Sequence, residues 1–237
     1  MLALRSFLFH VGIILMLILF LPIVLISFVV SYPIRYWLLI QYGKFLLWWL
    51  KITCNLTYHV EGLENIKNQP AVILSKHQSA WETFALQRVF SYQVWVLKRE
   101  LLRIPIFGWG LKSLKVIAID RGSKQQAIKQ IIEQGKDRLD KGINVIVFPE
   151  GTRVAPNQTR RYAIGGALLA VESGYPVIPV AHNAGEFWGR TSFLRHPGCI
   201  QVRIGKPIDT KGKTPNEVNE LTREWIEGQM QTLTVSV

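Results

Sequence analysis

The sequence predicts an α/β protein: a central sheet, mostly parallel or mixed, is covered by helices and preceded by an N-terminal membrane helical hairpin. Three observations predict this class. After Cys54, short runs rich in β-branched and aromatic residues alternate with helical stretches. Some of these runs, such as residues 145–148, are apolar throughout, which is typical of strands buried on both faces. The first 52 of the 237 residues contain no Asp or Glu and are mostly apolar.

The composition excludes several classes of protein. With 49% hydrophobic and 19% charged residues, the chain is neither disordered nor a coiled coil, because both need more charge. The net charge of +12 indicates an anionic partner, such as nucleic acid, an anionic membrane surface or a phosphorylated substrate. The two cysteines, Cys54 and Cys199, lack the spacing of a metal or redox motif, so we expect ordinary buried thiols.

The hairpin begins with an apolar run at residues 7–30. A helix of this length measures about 36 Å, whereas the hydrocarbon core of a bilayer is about 30 Å thick. The run is too long for the apolar core of a cleaved signal peptide. A helix that is apolar on every face is also difficult to bury in a protein of this size, so we expect it to enter a membrane.

A second apolar segment follows at residues 36–52. Its polar residues Gln41, Lys44 and Lys51 form one narrow stripe on a helix that is otherwise rich in Trp and Leu. Such a helix suits the bilayer interface, and Pro33 predicts a turn before it. The two segments therefore predict a hairpin over residues 1–52, either as two membrane spans or as a dip that returns to the same side.

The basic residues of the hairpin predict its orientation. Arg35, Lys44 and Lys51 follow the first run, whereas Arg5 alone precedes it. Because loops rich in Lys and Arg stay in the cytoplasm, we expect residues 53–237 on the cytoplasmic face of the inner (cell) membrane.

Residues 53–237 are predicted to form one α/β domain. Periods of two and of 3.6 residues distinguish its strands from its helices. Strands are predicted at residues 55–60, 71–74, 93–97, 116–119, 144–148, 177–181 and 199–204, and helices at residues 81–90, 123–141, 160–173 and 215–229.

The first candidate for chemistry lies directly after a predicted strand. His77 and Glu82 can meet if the histidine lies in the turn and the glutamate in the first turn of the next helix. A carboxylate bonded to one imidazole nitrogen makes the other nitrogen a better base. The alternative is structural, because Ser79 and Glu82 have the spacing of a capping box.

The second candidate follows another apolar strand, where ligands gather in open α/β sheets. Its sequence continues Glu150, Gly151, Thr152 and Arg153. Glycine permits a tight turn, and arginine presents a planar fork that matches a phosphate. The alternative is a strand-exit turn with a surface ion pair of little energetic value.

Further cations follow other strands. Lys98 and Arg121 follow the predicted strands at 93–97 and 116–119, and cations that converge at one edge of the sheet could bind a phosphate. The alternative is that Lys98 and Arg99 are solvated and that Asp120 and Arg121 form a turn. No metal site is expected, because no second His or Cys stands at ligand spacing. The sequence also lacks a nucleophile elbow, a Walker A loop and a dinucleotide fingerprint.

Taken in order, these clusters resemble the motifs of the glycerolipid acyltransferases, in particular the bacterial 1-acyl-sn-glycerol-3-phosphate acyltransferases. The resemblance covers residues from about 53 to 210. It is carried by HQSAWE at 77–82, KRELLRIPIFG at 98–108 with AIDR at 118–121, FPEGTR at 148–153 and VIPVA at 177–181.

The resemblance implies transfer of a fatty acyl group from acyl-CoA or acyl-carrier protein to lysophosphatidic acid at a phospholipid membrane, without a cofactor. His77 is then the general base and Glu82 orients it. Lys98, Arg121 and Arg153 hold the phosphate, and Glu150, Gly151 and Thr152 contact the acceptor.

The chain departs from the family pattern at two positions. The family usually has Asp where this chain has Glu82, so the acid reaches one methylene further. A glycine often found six residues before the arginine of the second motif is replaced by Lys115, which makes the role of Arg121 less secure.

Two alternatives remain. One is an acyltransferase for another lysolipid, such as a lyso-aminolipid or lysophosphatidylglycerol. The other is a non-catalytic polybasic protein of membrane surfaces or nucleic acid. The scattered basic residues do not favour nucleic acid, because no basic run with interleaved aromatics occurs outside the hairpin.

Overall fold

The computed structural model describes residues 1–120 and 122–233 and contains a seven-stranded sheet within them. Its strands are β1 (Leu56–Glu61), β2 (Val72–Ser75), β3 (Gln93–Lys98), β4 (Ile117–Ile119), β5 (Asn144–Val147), β6 (Val177–His182) and β7 (Gly198–Ile204). The helices of the same residues are α1 (Leu2–Leu19), α2 (Leu21–Ile26), α3 (Tyr32–Cys54), α4 (Trp81–Val89), α5 (Phe107–Ser113), α6 (Lys124–Asp140), α7 (Gly165–Ser173), α8 (Ala184–Phe187) and α9 (Pro215–Thr232).

The strands lie in the order β1-β7-β6-β2-β5-β3-β4. β6 and β7 pair antiparallel, whereas every other neighbouring pair is parallel. β2 is central, with Leu74 beside both Val147 of β5 and Pro179 of β6. The carboxyl ends of β2 through β6 therefore meet at one edge of a mixed sheet. The predicted fold class is confirmed.

Successive residues of β2 point to opposite faces of the sheet and enter two different cores. Ile73 packs with residues of α3, α4 and α5, whereas Val72 and Leu74 pack with residues of α6, α7 and α9. This alternation follows from the strand period of two. It explains why the β2 sequence is apolar throughout, because helices cover both faces.

The N-terminal helices form a layer on the α4 side of the sheet. Leu46 and Leu50 of α3 join the same core as Ile73 and Leu86. Among the described residues, α1 is the one helix long and apolar enough to cross a membrane by length and composition.

The expectation of one continuous helix over residues 7–30 is wrong. α1 ends at Leu19, and α2 continues for six residues to Ile26, with Pro22 at its start. Proline has no backbone N–H to bond the preceding turn, so it favours a new helix start. The predicted turn also lies elsewhere, because Pro33 is inside the first turn of α3 rather than before that helix.

Two further expectations need correction. The helix predicted over 160–173 begins only at Gly165, because the residues before it bond to other elements: Ala163 N–H donates to Pro149 O at 2.7 Å. Cys54 is buried as expected, but Cys199 is exposed. Cys199 lies on β7, whose outer face is only partly covered.

The departure at Lys115 has a local structural setting. Its φ is +57°, in the left-handed region that glycine adopts most easily. The Arg138 Nε–H donates to the Lys115 carbonyl oxygen at 2.9 Å. A side chain from α6 thus holds this strained residue in place.

Candidate active site

The turn between β2 and α4 brings His77 and Glu82 into contact. The Nδ1 atom of His77 lies 2.8 Å from Oε1 of Glu82. The Glu82 side chain is fully buried, whereas 15% of the His77 side chain is exposed. The pair therefore joins a buried carboxylate to a ring that solvent and ligands can reach.

Glu82 also closes the start of α4. Its Oε1 accepts the backbone N–H groups of Gln78 and Ser79, at 3.0 and 2.9 Å. The structural and the catalytic interpretations of Glu82 are thus compatible, because one carboxylate makes both sets of contacts. With glutamate where the family usually has aspartate, the carboxylate still lies within hydrogen-bond distance of the imidazole.

The hydrogen bonds determine which nitrogen of His77 carries the proton. A carboxylate only accepts, so Nδ1 is the donor to Glu82 and Nε2 of the neutral ring is an acceptor. The imidazole stacks on the ring of Phe148, with centroids 4.1 Å apart and planes 15° from parallel. The ring is therefore fixed on one side by a carboxylate and on one face by an aromatic ring.

The electrostatic surroundings keep Glu82 ionised. Burial raises the pKa of its carboxyl, but hydrogen bonds from the His77 ring and the Ser79 N–H favour the ionised form, and the pKa lies below its ordinary value. An ionised Glu82 holds the proton on Nδ1 of His77 and stabilises the imidazolium that forms when Nε2 takes a second proton.

His182, at the end of β6, supports the turn from behind. Its Nε2–H donates to the Lys76 carbonyl at 2.9 Å, and its Nδ1 accepts the Ala184 N–H at 3.3 Å. Burial lowers the pKa of this imidazole below its ordinary value, so His182 is neutral.

Glu150 lies behind the turn between β2 and α4 that carries His77, rather than at its surface. Its Oε2 accepts the backbone N–H of His77 at 2.9 Å, and its Oε1 lies 2.7 Å from Lys76 Nζ. Oε1 accepts no hydrogen bond of regular geometry, so its contact with Nζ is an ion pair. Burial raises the pKa of Glu150, and the Lys76 ammonium opposes that rise.

The segment after Glu150 runs along the turn that carries His77. Gly151 has φ +69°, which glycine adopts without strain, and the Val154 N–H donates to the His77 carbonyl at 2.8 Å. Thr152 and Arg153, between these two anchor points, are half-buried. The arginine therefore lies on a segment bonded directly to the histidine.

Lys98 lies exposed at the carboxyl end of β3. β3 is separated from β2 by β5 alone, so the two strands are about 10 Å apart across the sheet. Arg121 lies outside the described residues. His77, Glu82 and Glu150 are thus joined by direct contacts, and Lys98 shares their edge of the sheet.

Sequence reasoning missed Lys76, Phe148, His182 and Glu227 as parts of this site. Phe148 begins the FPEGTR motif, but its stacking on His77 depends on β2 and β5 being neighbours. Glu227 is 151 positions from Lys76, and the two side chains form an ion pair. No local sequence pattern indicates such a pairing.

Comparison with known proteins identifies the family. A family model described as "Acyltransferase" matches residues 57–183, which are more than half of the chain. The chain is 44% identical over 206 residues to 1-acyl-sn-glycerol-3-phosphate acyltransferase of Pseudomonas aeruginosa, covering 85% of this chain and 80% of the relative. This chain belongs to the acyltransferase family.

Other comparisons agree with this assignment. The acyltransferase is 29% identical to 1-acyl-sn-glycerol-3-phosphate acyltransferase of Saccharomyces cerevisiae, over 78% of this chain and 62% of that protein. Its fold matches the crystal structure of the 1-acyl-sn-glycerophosphate acyltransferase of Thermotoga maritima, with a TM-score of 0.80, 24% identity and 98% of both chains covered. The family region of this O-acyltransferase contains both His77 and Glu82.

Proposed function

We propose that this acyltransferase moves a fatty acyl group from acyl-CoA or acyl-carrier protein to the sn-2 hydroxyl of 1-acyl-glycerol-3-phosphate, giving phosphatidic acid. The observation that carries this proposal is the His77–Glu82 pair, which leaves Nε2 of His77 free to act as a base. The pair lies at the edge of the sheet where residues 148–153 follow β5. The names of the relatives from Pseudomonas and yeast support the choice of acceptor.

His77 acts as the general base. Its Nε2 takes the proton of the acceptor hydroxyl as the oxygen attacks the thioester carbonyl. The resulting imidazolium stays bonded to Glu82 through Nδ1–H, and the carboxylate stabilises its positive charge. We propose no metal and no resident cofactor, since a base and a bound thioester are enough for this reaction.

The reaction balances without a covalent enzyme intermediate. A carbon–oxygen bond forms between the hydroxyl oxygen and the carbonyl carbon, giving a tetrahedral intermediate. The carbon–sulfur bond then breaks, and the thiolate leaves with the proton that Nε2 had taken. The products are the ester and the free thiol, and His77 returns to its neutral state.

Cations at the edge of the sheet hold the phosphate of the acceptor. Arg153 is on the segment bonded to the His77 carbonyl, and Lys98 is about 10 Å from β2 across the sheet. We assign Arg121 the same role on its sequence motif alone. Gly151 and Thr152 contact the glycerol unit, and Glu150 contributes by fixing the His77 backbone.

We also propose that the N-terminal layer binds one leaflet of the inner membrane, with residues 53–237 on the cytoplasmic face. The hairpin contacts the domain both near its N-terminal start and near its turn. Ser6 Oγ accepts the Arg195 N–H at 2.9 Å, and Ser27 Oγ lies 2.7 Å from Ser113 Oγ. If the hairpin crossed the bilayer, α1 would carry the turn about 27 Å away from the domain. Here the turn, at Ser27, contacts the domain directly, which favours a hairpin that lies in one leaflet.

The outer face of this layer is apolar. Its exposed side chains include Phe7, Ile14, Leu15, Ile18, Leu19, Leu25, Phe28, Trp37 and Trp48. A lysolipid keeps its acyl chain in the bilayer, since exposing each CH₂ to water costs about 0.8 kcal/mol. A membrane-bound layer beside the catalytic domain lets the acceptor react without leaving the lipid phase.

The experiment that tests this function measures thiol release from acyl-CoA by the purified protein in mixed micelles. The acceptors are lysophosphatidic acid, lysophosphatidylglycerol and a lyso-aminolipid. We expect lysophosphatidic acid to be preferred and His77→Ala to lose at least about 100-fold in turnover, as removal of a general base does.

The matched control is His59→Ala, which removes an exposed histidine of β1 and should retain wild-type turnover. Unchanged turnover in a folded His77→Ala protein refutes the mechanism. Preference for another lysolipid refutes the assigned acceptor.

A further inference from the structure

A buried cluster of ionised side chains lies behind the catalytic turn. Lys76, directly before His77, is 1% exposed, and its Nζ lies 2.7 Å from Glu150 Oε1 and 2.9 Å from Glu227 Oε1. Glu227 comes from the C-terminal helix α9 and also accepts a hydrogen bond from the Tyr162 hydroxyl at 2.8 Å. Three chain segments that are distant in sequence thus meet at one ammonium.

The charges of this cluster are unequal. Lys76 faces two carboxylates, so the group carries a formal charge of −1 inside the protein. Glu150 is fully buried, whereas Glu227 is 16% exposed and partly solvated. Because unpaired charge is costly to bury, the ionised form of Glu150 depends on the ammonium beside it.

Glu150 connects this cluster to the catalytic base. Its Oε2 accepts the backbone N–H of His77 at 2.9 Å. An ionised carboxylate is a stronger acceptor than a neutral one, so the charge of Glu150 determines how firmly that peptide group is held. The same peptide carries the imidazole that Glu82 orients.

We propose that Lys76 is a positioning residue for the acyl transfer: it keeps Glu150 ionised, and Glu150 then fixes the backbone of the catalytic His77. Glu227 opposes this effect of Lys76, because its carboxylate also pairs with Lys76 and repels the ionised Glu150. The inference rests on the proposed function, and it gives α9 a part in the active site.

Opposite substitutions test the proposal. Lys76→Gln keeps hydrogen-bond donors but removes the charge, so Glu150 should take up a proton at higher pH than in the wild type. Glu227→Gln removes the repelling carboxylate, so Glu150 should stay ionised to lower pH. The charged and titratable groups that face Glu150 from the packed elements are Lys76, Glu227 and Tyr162.

The measurement is the pH dependence of kcat and of KM with lysophosphatidic acid and acyl-CoA in mixed micelles. We expect the acidic limb of kcat to move to higher pH in Lys76→Gln and to lower pH in Glu227→Gln. Near neutral pH, Lys76→Gln should lose about 10- to 100-fold in kcat with little change in KM, as small displacements of catalytic groups do.

Two further variants complete the experiment. Lys76→Arg retains the charge, so the acidic limb of its kcat profile should lie at the same pH as in the wild type. Lys129→Met removes an exposed lysine that pairs with Glu133 at 3.7 Å, and it should change neither kcat nor the limb. Circular dichroism at each pH checks that the variants are folded. If Lys76→Gln does not fold, the shift expected of Glu227→Gln alone decides the result.

Acidic limbs that coincide in folded Lys76→Gln, Glu227→Gln and wild-type proteins overturn the role of Lys76 and leave the proposed function standing. A wild-type protein that acylates none of the three lysolipids overturns both. A limb that moves in opposite directions in the two variants, together with a loss of kcat near neutral pH in Lys76→Gln alone, supports the role. The direct effect of either charge on the protonation of His77 would move the limb but would not lower the kcat plateau.

Discussion

The turn that carries His77 and the N-terminal helical layer differ in where they place charged and apolar side chains. In the turn, charged groups lie buried and are paired: Glu82 has three N–H partners, and Lys76 lies between two carboxylates. In the layer, large apolar side chains lie exposed, and its polar contacts with the domain lie mostly near its two ends. Buried, paired charges fix the orientation of the His77 side chain, whereas exposed apolar surface favours contact with a lipid phase.

The largest effect that tests this contrast is expected in the turn. Glu82→Gln keeps the size of the side chain but removes the charge that orients His77. We expect turnover to fall by at least about 100-fold, because the base loses both its tautomer and the partner of its imidazolium. Thiol release from acyl-CoA measures this. Glu82→Asp should lose less, and equal losses in the two variants would contradict an orienting charge.

A smaller effect is expected in the layer. Leu15 and Ile18 are each a little more than half exposed on α1. Replacing both by serine removes about 1 kcal/mol of apolar transfer free energy at each position, so binding to phospholipid vesicles should weaken by about 30-fold. Vesicle co-sedimentation measures the partition coefficient.

The matched control for the layer is Leu221→Ser, which alters an exposed leucine of α9 on the other side of the sheet. It should leave vesicle binding unchanged. If it weakens binding as much as the double variant does, the α1 surface is not the membrane contact.

The smallest effect concerns stability, and it arises behind the turn. His182 has an ordinary pKa of 6.5 when unfolded, and burial lowers its pKa in the folded protein. The unfolded state therefore binds more protons than the folded state below about pH 6.5. The free energy of unfolding should fall as pH decreases, by at most about 1.4 kcal/mol per pH unit for this one group.

Urea unfolding at several pH values measures this slope. In His182→Gln, which keeps a donor for the Lys76 carbonyl, the slope between pH 6.5 and 5 should be smaller. Glu82 contributes only at lower pH, because its depressed pKa costs stability as pH falls below the ordinary value of 4.5. Equal slopes in both proteins would contradict the role assigned to His182.

Much of the fold could be predicted from the sequence because strand and helix periods are local signals. All seven predicted strands are present, with ends that differ by one residue at most. The helix over 81–90 was predicted closely, whereas α5 was missed. α5 is short, follows Pro105 and contains two glycines, so it lacks a helical pattern of its own. Its place depends on packing against α2.

The candidate site was only partly predictable. The contact of His77 with Glu82 could be expected, because five residues and one turn determine it. The contacts of Lys76 with Glu227 and of His77 with Phe148 could not, since each depends on the order of strands and helices. A lysine directly after an apolar strand carries no sign that its head group will be buried.

Because Glu82 binds both the start of α4 and the His77 imidazole, the order of that helix start and the orientation of the imidazole depend on each other. The carboxylate that holds the N–H groups of Gln78 and Ser79, directly before α4, is the one that holds the imidazole, and Oε1 takes part in both. If the first turn of α4 frays, the base loses its orientation at the same moment. Local melting at one helix start is thus enough to switch the chemistry off, long before the sheet itself begins to open.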